Sequence, residues 1–370
     1  MTVGWRDRTL LDLLGEHGLE HMPEHEFPTD GWSGATFTSL VDVYGRRYVL
    51  KRTSFAQDWI ARATRDDTLR EGWLAGLAPG TLAWIPRAAV PYLGAAADGD
   101  GVAILMPDLS NELIAWERPG HDPAIDRGTL DRVLGAMARL HARPWSRILD
   151  GATERNGHAP PPWCPLVERL TLLTPVSAAR YVAEGNPVGE RFVAGWDAFD
   201  RRASAGARDL IETLGANPTP LVAALGPLPP VGLHGDMKLA NVALLADGQV
   251  GFIDWQMTLR APMAVELGWF LVSNSGSLPG TPDEVMRSYR EALERDGGRS
   301  ASGPETHDVA ALTGDWDLQL DLTWIVGLLL RGWRKGIDAD AGAILPSGVP
   351  AVDDLAWWCE RAVSAAQRRL

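Results

Sequence analysis

The chain has 370 residues, 45% of them hydrophobic and 22% charged, with a formal net charge of −13. A single core rarely grows past about 250–300 residues, so the length predicts two lobes. The acidic balance excludes a general binder of nucleic acid or of anionic membranes.

The first third reads as strands with one helix. Residues 35–43 and 46–52 flank Tyr44–Gly45 and predict a hairpin. Thr53 or Ser54 can then cap one long helix over roughly 56–77, where Trp59, Ile60, Ala63, Leu69, Trp73 and Leu77 form a stripe. Two more strands, "AAVPYLG" (88–94) and "GVAILMP" (101–107), surround the turn "DGDG". An antiparallel sheet crossed by one helix is expected.

The remainder is mainly helical. Leu130, Val133, Leu134, Met137 and Leu140 mark an amphipathic helix over 129–143. "APPPWCP" (159–165) reads as a connector, because proline breaks helix interiors. Helical patterns follow at 188–214, 263–273, 281–296, about 308–334 and 352–369. Apolar runs such as Leu322–Leu330 are shorter than the ~20 residues that span a bilayer, and the opening stretch carries charges inside its apolar pattern. Cys164 and Cys359 form no CxxC pair, so neither a disulfide framework nor a thiolate zinc site is expected. A cytoplasmic location follows as the expectation.

One segment interrupts the helical half. "VALLA" and "QVGFID" are apolar runs joined by Asp247–Gly248, a hairpin dipeptide. Asn241 stands at the entry to this hairpin and Asp254 at its exit. The returning chain should bring them close, and an amide oxygen with a carboxylate makes a hard donor pair suited to Mg²⁺. Asp236, on the loop leading in, is placed to accept or orient the proton of an incoming hydroxyl. Lys238 supplies positive charge for a transferring phosphoryl group.

The order Asp236, Lys238, Asn241, Asp254, within "HGDMKLAN" and "GFIDW", resembles the catalytic block of the aminoglycoside phosphotransferase family, small-molecule kinases of the protein-kinase-like superfamily. The resemblance implies an α+β, protein-kinase-like two-lobed fold. Its N-terminal nucleotide-binding lobe would be 1–106, a sheet with one long helix. Its helical C-terminal catalytic lobe would be 107–370, carrying inserted substrate helices. It implies ATP and Mg²⁺ as cofactors and transfer of the γ-phosphate to a hydroxyl of a small molecule, such as an aminoglycoside, sugar or amino alcohol. By the same resemblance Asp236 and Lys238 are catalytic, and Asn241 and Asp254 hold the metal. Lys51 would bind the α- and β-phosphates with Glu71 as its helix partner. Ser33 and Gly34 would lie in the phosphate loop, Met106 would be the gatekeeper, and Pro107 and Leu109 would contact adenine. Glu266 resembles the acidic residue that braces the catalytic loop. His234 is read as structural. The acid-rich stretch 281–321 could line a pocket for an amine, with Asp317 and Asp321 as the pair to test. The alternative from another class is a nucleotide-binding pseudokinase without turnover.

Overall fold

A computed structural model describes residues 4–27, 32–77, 89–114, 124–146, 149–150, 162–296 and 309–370. The chain divides into two compact units. The first takes the chain up to Leu113, Trp145–Cys164 and Asn241–Thr258, and the second takes Ile114–Pro144, Pro165–Ala240 and Leu259–Leu370.

The first unit is built on a five-stranded antiparallel sheet in the order β1-β2-β3-β5-β4. Its strands are β1 (His25–Glu26), β2 (Thr36–Val41), β3 (Arg47–Thr53), β4 (Gly94–Asp98) and β5 (Gly101–Pro107). The β2–β3 turn closes at Gly45 (φ +81°), with Asp42 accepting from the Tyr44 and Arg46 amides. Side chains alternate across a strand. Tyr48 and Leu50 therefore face one way, into a cluster with Leu13, Leu14, Leu40, Ala103 and Leu105 under α1 (Leu10–Gly15). Lys51 consequently points to the opposite face.

Two readings shift here. The fourth strand spans Gly94–Asp98 rather than 88–94. Pro91 has no N–H for a ladder, and Ala95–Ala97 pair with Ile104–Val102 despite the weak strand preference of alanine. The helix expected over 56–77 is two short helices, α2 (Trp59–Ala63) and α3 (Arg70–Ala75). The polar run between them breaks the apolar stripe. Arg65 and Leu69 adopt left-handed backbone, and Asp66 accepts from the Arg70 amide at 2.9 Å, which starts α3 afresh. The Asp58 carboxylate caps α2 through the Ile60 and Ala61 amides.

The first unit also holds the expected hairpin, β6 (Val242–Leu244) with β7 (Val250–Phe252), turning at Gly248 (φ +81°).

The second unit is helical: α4 (Arg127–Ala142), α5 (Leu166–Thr171), α6 (Pro175–Ala183), α7 (Val188–Arg202), α8 (Ala205–Ala216), α9 (Thr219–Leu225), α10 (Met263–Asn274), α11 (Pro282–Asp296), α12 (Val309–Thr313), α13 (Trp316–Asp340) and α14 (Ala351–Arg369). A two-stranded ladder, Val231–Leu233 with Leu259–Ala261, lies among them. The pattern read over 188–214 is divided at Ser204, whose hydroxyl caps α8. The pattern over 308–334 is divided at Gly314 (φ +60°), with Asp315 capping α13. At the α10–α13 crossing, a Cβ on Gly268 would meet the Thr323 carbonyl at 2.6 Å, so only glycine allows this approach. Among the described residues no helix is long and apolar enough to cross a membrane.

Candidate active site

The first unit gathers three of the expected residues around one ammonium. Lys51 Nζ lies 2.6 Å from Glu71 Oε2 and 2.8 Å from Asp254 Oδ1. Lys51 is delivered by β3, Glu71 by the first turn of α3, and Asp254 by the segment after β7. Lys51 and Glu71 are buried, whereas the Asp254 side chain is 34% exposed and so can meet a ligand. Burial pulls the lysine pKa down, but the Asp254 and Glu71 carboxylates together outweigh it and hold the ammonium far above its ordinary value. Burial raises the Glu71 pKa, the nearby Lys51 charge opposes the rise, and the Asp254 carboxylate adds to it.

Tyr92 ties this group together. Its hydroxyl donates to Glu71 Oε1 and accepts from the Asp254 amide at 2.9 Å. Asp254 itself is left-handed (φ +65°, ψ +59°), a conformation that non-glycine residues hold only when their surroundings enforce it. The next residue supplies that enforcement. Trp255 is fully buried, donates Nε1 to Phe252 O at 2.7 Å, and packs edge-on against Trp145. Arg70 adds a second brace, donating to Gln256 O at 2.8 Å. The tryptophan of "DW" is thus an anchor.

Asn241 enters the same hairpin buried at 5% exposure. Its carbonyl accepts from the Ile253 amide at 3.0 Å, so residues 241 and 253 face each other and Asp254 follows directly. The donor set fits a hard divalent cation: one amide oxygen and one carboxylate, the latter reachable from solvent.

The remaining first-unit candidates lie on the sheet and its edge. Met106 is buried on β5 opposite Val49, and Pro107 ends that strand. The Leu109 carbonyl accepts from the Glu112 and Leu113 amides, and among the described residues its own amide has no acceptor. Ser33 and Gly34 stand just before β2. The Ser33 carbonyl accepts from the Trp59 amide at 3.1 Å. A Cβ on Gly34 (φ +98°) would meet the Gln57 carbonyl at 2.6 Å, so this position requires glycine.

In the second unit, the loop bearing Asp236 and Lys238 leaves the Val231–Leu233 strand. Lys238 Nζ and Asp236 Oδ2 are 3.1 Å apart, and both side chains are half-buried. Glu266 braces the loop as its position suggested: its carboxylate accepts from the His234 amide at 3.2 Å and the Gly235 amide at 2.5 Å. The same carboxylate meets His141 Nε2 at 2.8 Å, and His141 Nδ1 meets the Tyr289 hydroxyl at 2.6 Å. Burial raises the Glu266 pKa, but His141, His234 and the Gly235 amide together overcome it and leave the carboxyl below its ordinary value. Arg169 Nε donates to the Gly235 carbonyl at 2.9 Å, and Asn274 Oδ1 accepts from the Leu239 amide at 3.0 Å. His234 is fully buried and its Nδ1 accepts from the Asp236 amide at 3.2 Å, a loop-shaping bond.

Asp317 and Asp321 both lie on α13. Asp321 is bound by Arg368 and Arg369, at 2.6 and 2.7 Å, while Asp317 is exposed in the first turn.

A sequence pattern for the phosphotransferase enzyme family (APH) matches residues 25–312, well over half of the chain. The chain belongs to the phosphotransferase enzyme family. Solved structures of similar fold include an amicoumacin kinase, hAmiN, in complex with AMP-PNP, Ca²⁺ and Ami (TM-score 0.50, 11% identity, covering 95% of this chain and 92% of that one). An ethanolamine kinase of Plasmodium vivax also matches (TM-score 0.47, 11% identity, 94% and 82% covered). So does the macrolide 2'-phosphotransferase MphH of Brachybacterium faecium (TM-score 0.42, 18% identity, 96% and 97% covered). Comparison with curated proteins gives no match. The fold of this phosphotransferase is that of small-molecule kinases, an antiparallel N-terminal sheet followed by a helical region.

Sequence reading alone did not reach Tyr92, His141, Arg169, Tyr289 or Asn274 in this phosphotransferase. Each acts through hydrogen bonds to residues far along the chain, and none sits in a motif. Tyr92 carried one available signal, a tyrosine placed just before a strand otherwise rich in alanine.

Proposed function

We propose that this phosphotransferase moves the γ-phosphoryl group of ATP onto a hydroxyl of a small molecule. The observation that carries the reading is the Lys51 ammonium held between Glu71 and Asp254. Two carboxylates, one of them on strained backbone, gathered at one buried lysine are a costly arrangement for stability alone and a useful one for a charged ligand.

In this reading Lys51 pairs with the nucleotide phosphates and Glu71, fixed by Tyr92, holds its ammonium in place. Ser33 and Gly34 approach the phosphates through their backbone. Met106 lines the adenine site, Pro107 O accepts from the adenine amino group, and the Leu109 amide serves the ring nitrogen. Asn241 and Asp254 would hold Mg²⁺, which when bound neutralises phosphate charge and fixes phosphate geometry. Asp236 orients the acceptor hydroxyl and takes its proton. The acceptor oxygen forms a bond to the γ-phosphorus as the bond from that phosphorus to the β-bridging oxygen breaks, and ADP leaves with the electron pair. Lys238 stabilises charge on the transferring group. The work is chiefly positioning and charge stabilisation. The presence of AMP-PNP and Ca²⁺ in the amicoumacin kinase structure supports the nucleotide and divalent-ion part of the reading.

The test is a pair of measurements on the full chain. ATP should raise the melting temperature only when Mg²⁺ is present, and ADP release should rise with a hydroxyl acceptor and vanish in Asp236→Asn. Stabilisation by ATP with no turnover against sugars, amino alcohols, hydroxy acids and macrolides would overturn it.

A further inference from the structure

The second unit contains a cation that the described residues do not neutralise. Arg331, on α13, is half-buried, and among the described residues its guanidinium has neither a hydrogen-bond acceptor nor a carboxylate within ion-pair reach. Its neighbours are otherwise committed. Arg334 is paired with Asp338 at 3.1 Å, Lys335 with Asp354, and Lys238 with Asp236. Arg331 instead lies over the Trp269 ring, 5.3 Å from its centroid, and 6.0 Å from that of Trp333.

Trp269 links this guanidinium to the Asp236 loop. Arg169 sits over the same ring at 4.6 Å and donates to the Gly235 carbonyl, one residue before Asp236. Two ring contacts and one hydrogen bond thus join Arg331 to the backbone beside Asp236. Burial and the nearby Arg334 charge depress the Arg331 pKa to about 10, and the Asp236 and Asp338 carboxylates oppose the fall. The guanidinium stays charged near pH 7. A half-buried guanidinium with no carboxylate among the described residues leaves its planar fork open, and that fork matches a carboxylate or phosphoryl group in bidentate fashion.

We propose that Arg331, laid over Trp269 and lacking an anionic partner among the described residues, receives an anionic oxygen group of the acceptor whose hydroxyl is presented to Asp236. The proposal rests on the phosphotransfer reading above and narrows it: the acceptor is a hydroxy compound bearing a carboxylate or phosphate, not a polycationic one. Of the two acidic residues that could have served an amine, Asp317 and Asp321, the second is already occupied by Arg368 and Arg369.

The experiment compares kcat/KM, with Mg·ATP and the full chain, across D-gluconate, D-glucose 6-phosphate, D-glucose and D-glucosamine, beside wider sets of hydroxy acids, sugar phosphates, neutral polyols and amino sugars. The best acceptor is expected to be anionic, and the carboxylate and phosphate arms identify which oxygen group is bound. For that acceptor, Arg331→Met should raise KM by about 10–100-fold, with the KM for ATP unchanged, and Arg331→Lys should restore part of the loss. Melting temperatures of both variants show whether the fold is kept, and the lysine variant carries the test if the methionine variant is unstable. A neutral or cationic best acceptor overturns the proposal while leaving phosphotransfer intact. So does an Arg331→Met variant whose defect lies in the KM for ATP, which would assign the guanidinium to the nucleotide. ATP binding without turnover of any acceptor overturns the phosphotransfer reading itself, and this proposal with it.

Discussion

Lys51 Nζ and Asp254 Oδ1 lie 2.8 Å apart although 203 residues separate them in the chain. The contact joins the middle of a sheet strand to the exit of a distant hairpin. Glu71 completes the group from α3, and the buried Tyr92 hydroxyl holds the two carboxylate-bearing segments in register.

Removing the central charge should separate stability from function. Lys51→Met leaves Glu71 buried without its cation. Breaking a buried pair from one side costs about 3–5 kcal/mol. Lys51→Met/Glu71→Gln should recover much of that loss, because neither charge then stays uncompensated. Neither variant should turn over Mg·ATP above about one-hundredth of the wild-type rate. Urea denaturation and an ADP-release assay on the three proteins check this.

The Asp236 loop is set by a carboxylate of its own unit, Glu266 on α10. Glu266→Gln removes a charged acceptor from the His234 and Gly235 amides and from His141, and should cost about 2–4 kcal/mol near pH 7. The pH dependence follows from the direction of the shift. The folded carboxyl lies below its ordinary value of 4.5. Its stabilisation is therefore fully present above that value and is lost as pH falls through the folded pKa. The stability gap between wild type and Glu266→Gln should shrink steadily below pH ~4.5, as read from urea titrations near pH 7 and near pH 3.5.

Gly34 offers a test of the proposed phosphate loop. Its φ of +98° and the 2.6 Å approach to Gln57 O leave no room for a methyl group. Gly34→Ala should displace the loop and raise the KM for ATP about tenfold or more, with less effect on the KM of the acceptor. Steady-state kinetics with each substrate varied in turn separates the two.

Asp321→Asn distinguishes a helix tie from a substrate contact. Arg368 and Arg369 are partly exposed but the Asp321 carboxylate they hold is buried, so losing the pairs should cost about 1–3 kcal/mol. Acceptor KM should stay unchanged. A raised KM for an amine-bearing acceptor would return Asp321 to the substrate site.

The parts of the fold that were legible in sequence are those carried by short patterns. The proposed site residues Asp236, Lys238, Asn241 and Asp254 sit within two motifs, and Asp247–Gly248 announces the turn that folds Asn241 back toward Asp254. The strands with β-branched and aromatic residues were equally plain. The helix over 56–77 was misread because an apolar stripe survived on both sides of the polar run, and nothing local announced the left-handed residues Arg65 and Leu69. Helices α5, α6 and α9 escaped because they are short and begin beside prolines. His141 and Glu266 are 125 residues apart, and no periodicity joins them. Arg331 reads as one more charged position where an apolar run of α13 ends, until Trp269 is seen beneath it.

The most direct measurement is ³¹P NMR of wild type and Asp236→Asn incubated with ATP, Mg²⁺ and pooled hydroxyl acceptors. ADP and a new phosphate-monoester signal are expected with wild type, and neither with Asp236→Asn. Wild-type protein that binds Mg·ATP yet forms no phosphate monoester from any pool, or an Asp236→Asn variant that forms it at an undiminished rate, would contradict the phosphotransfer reading.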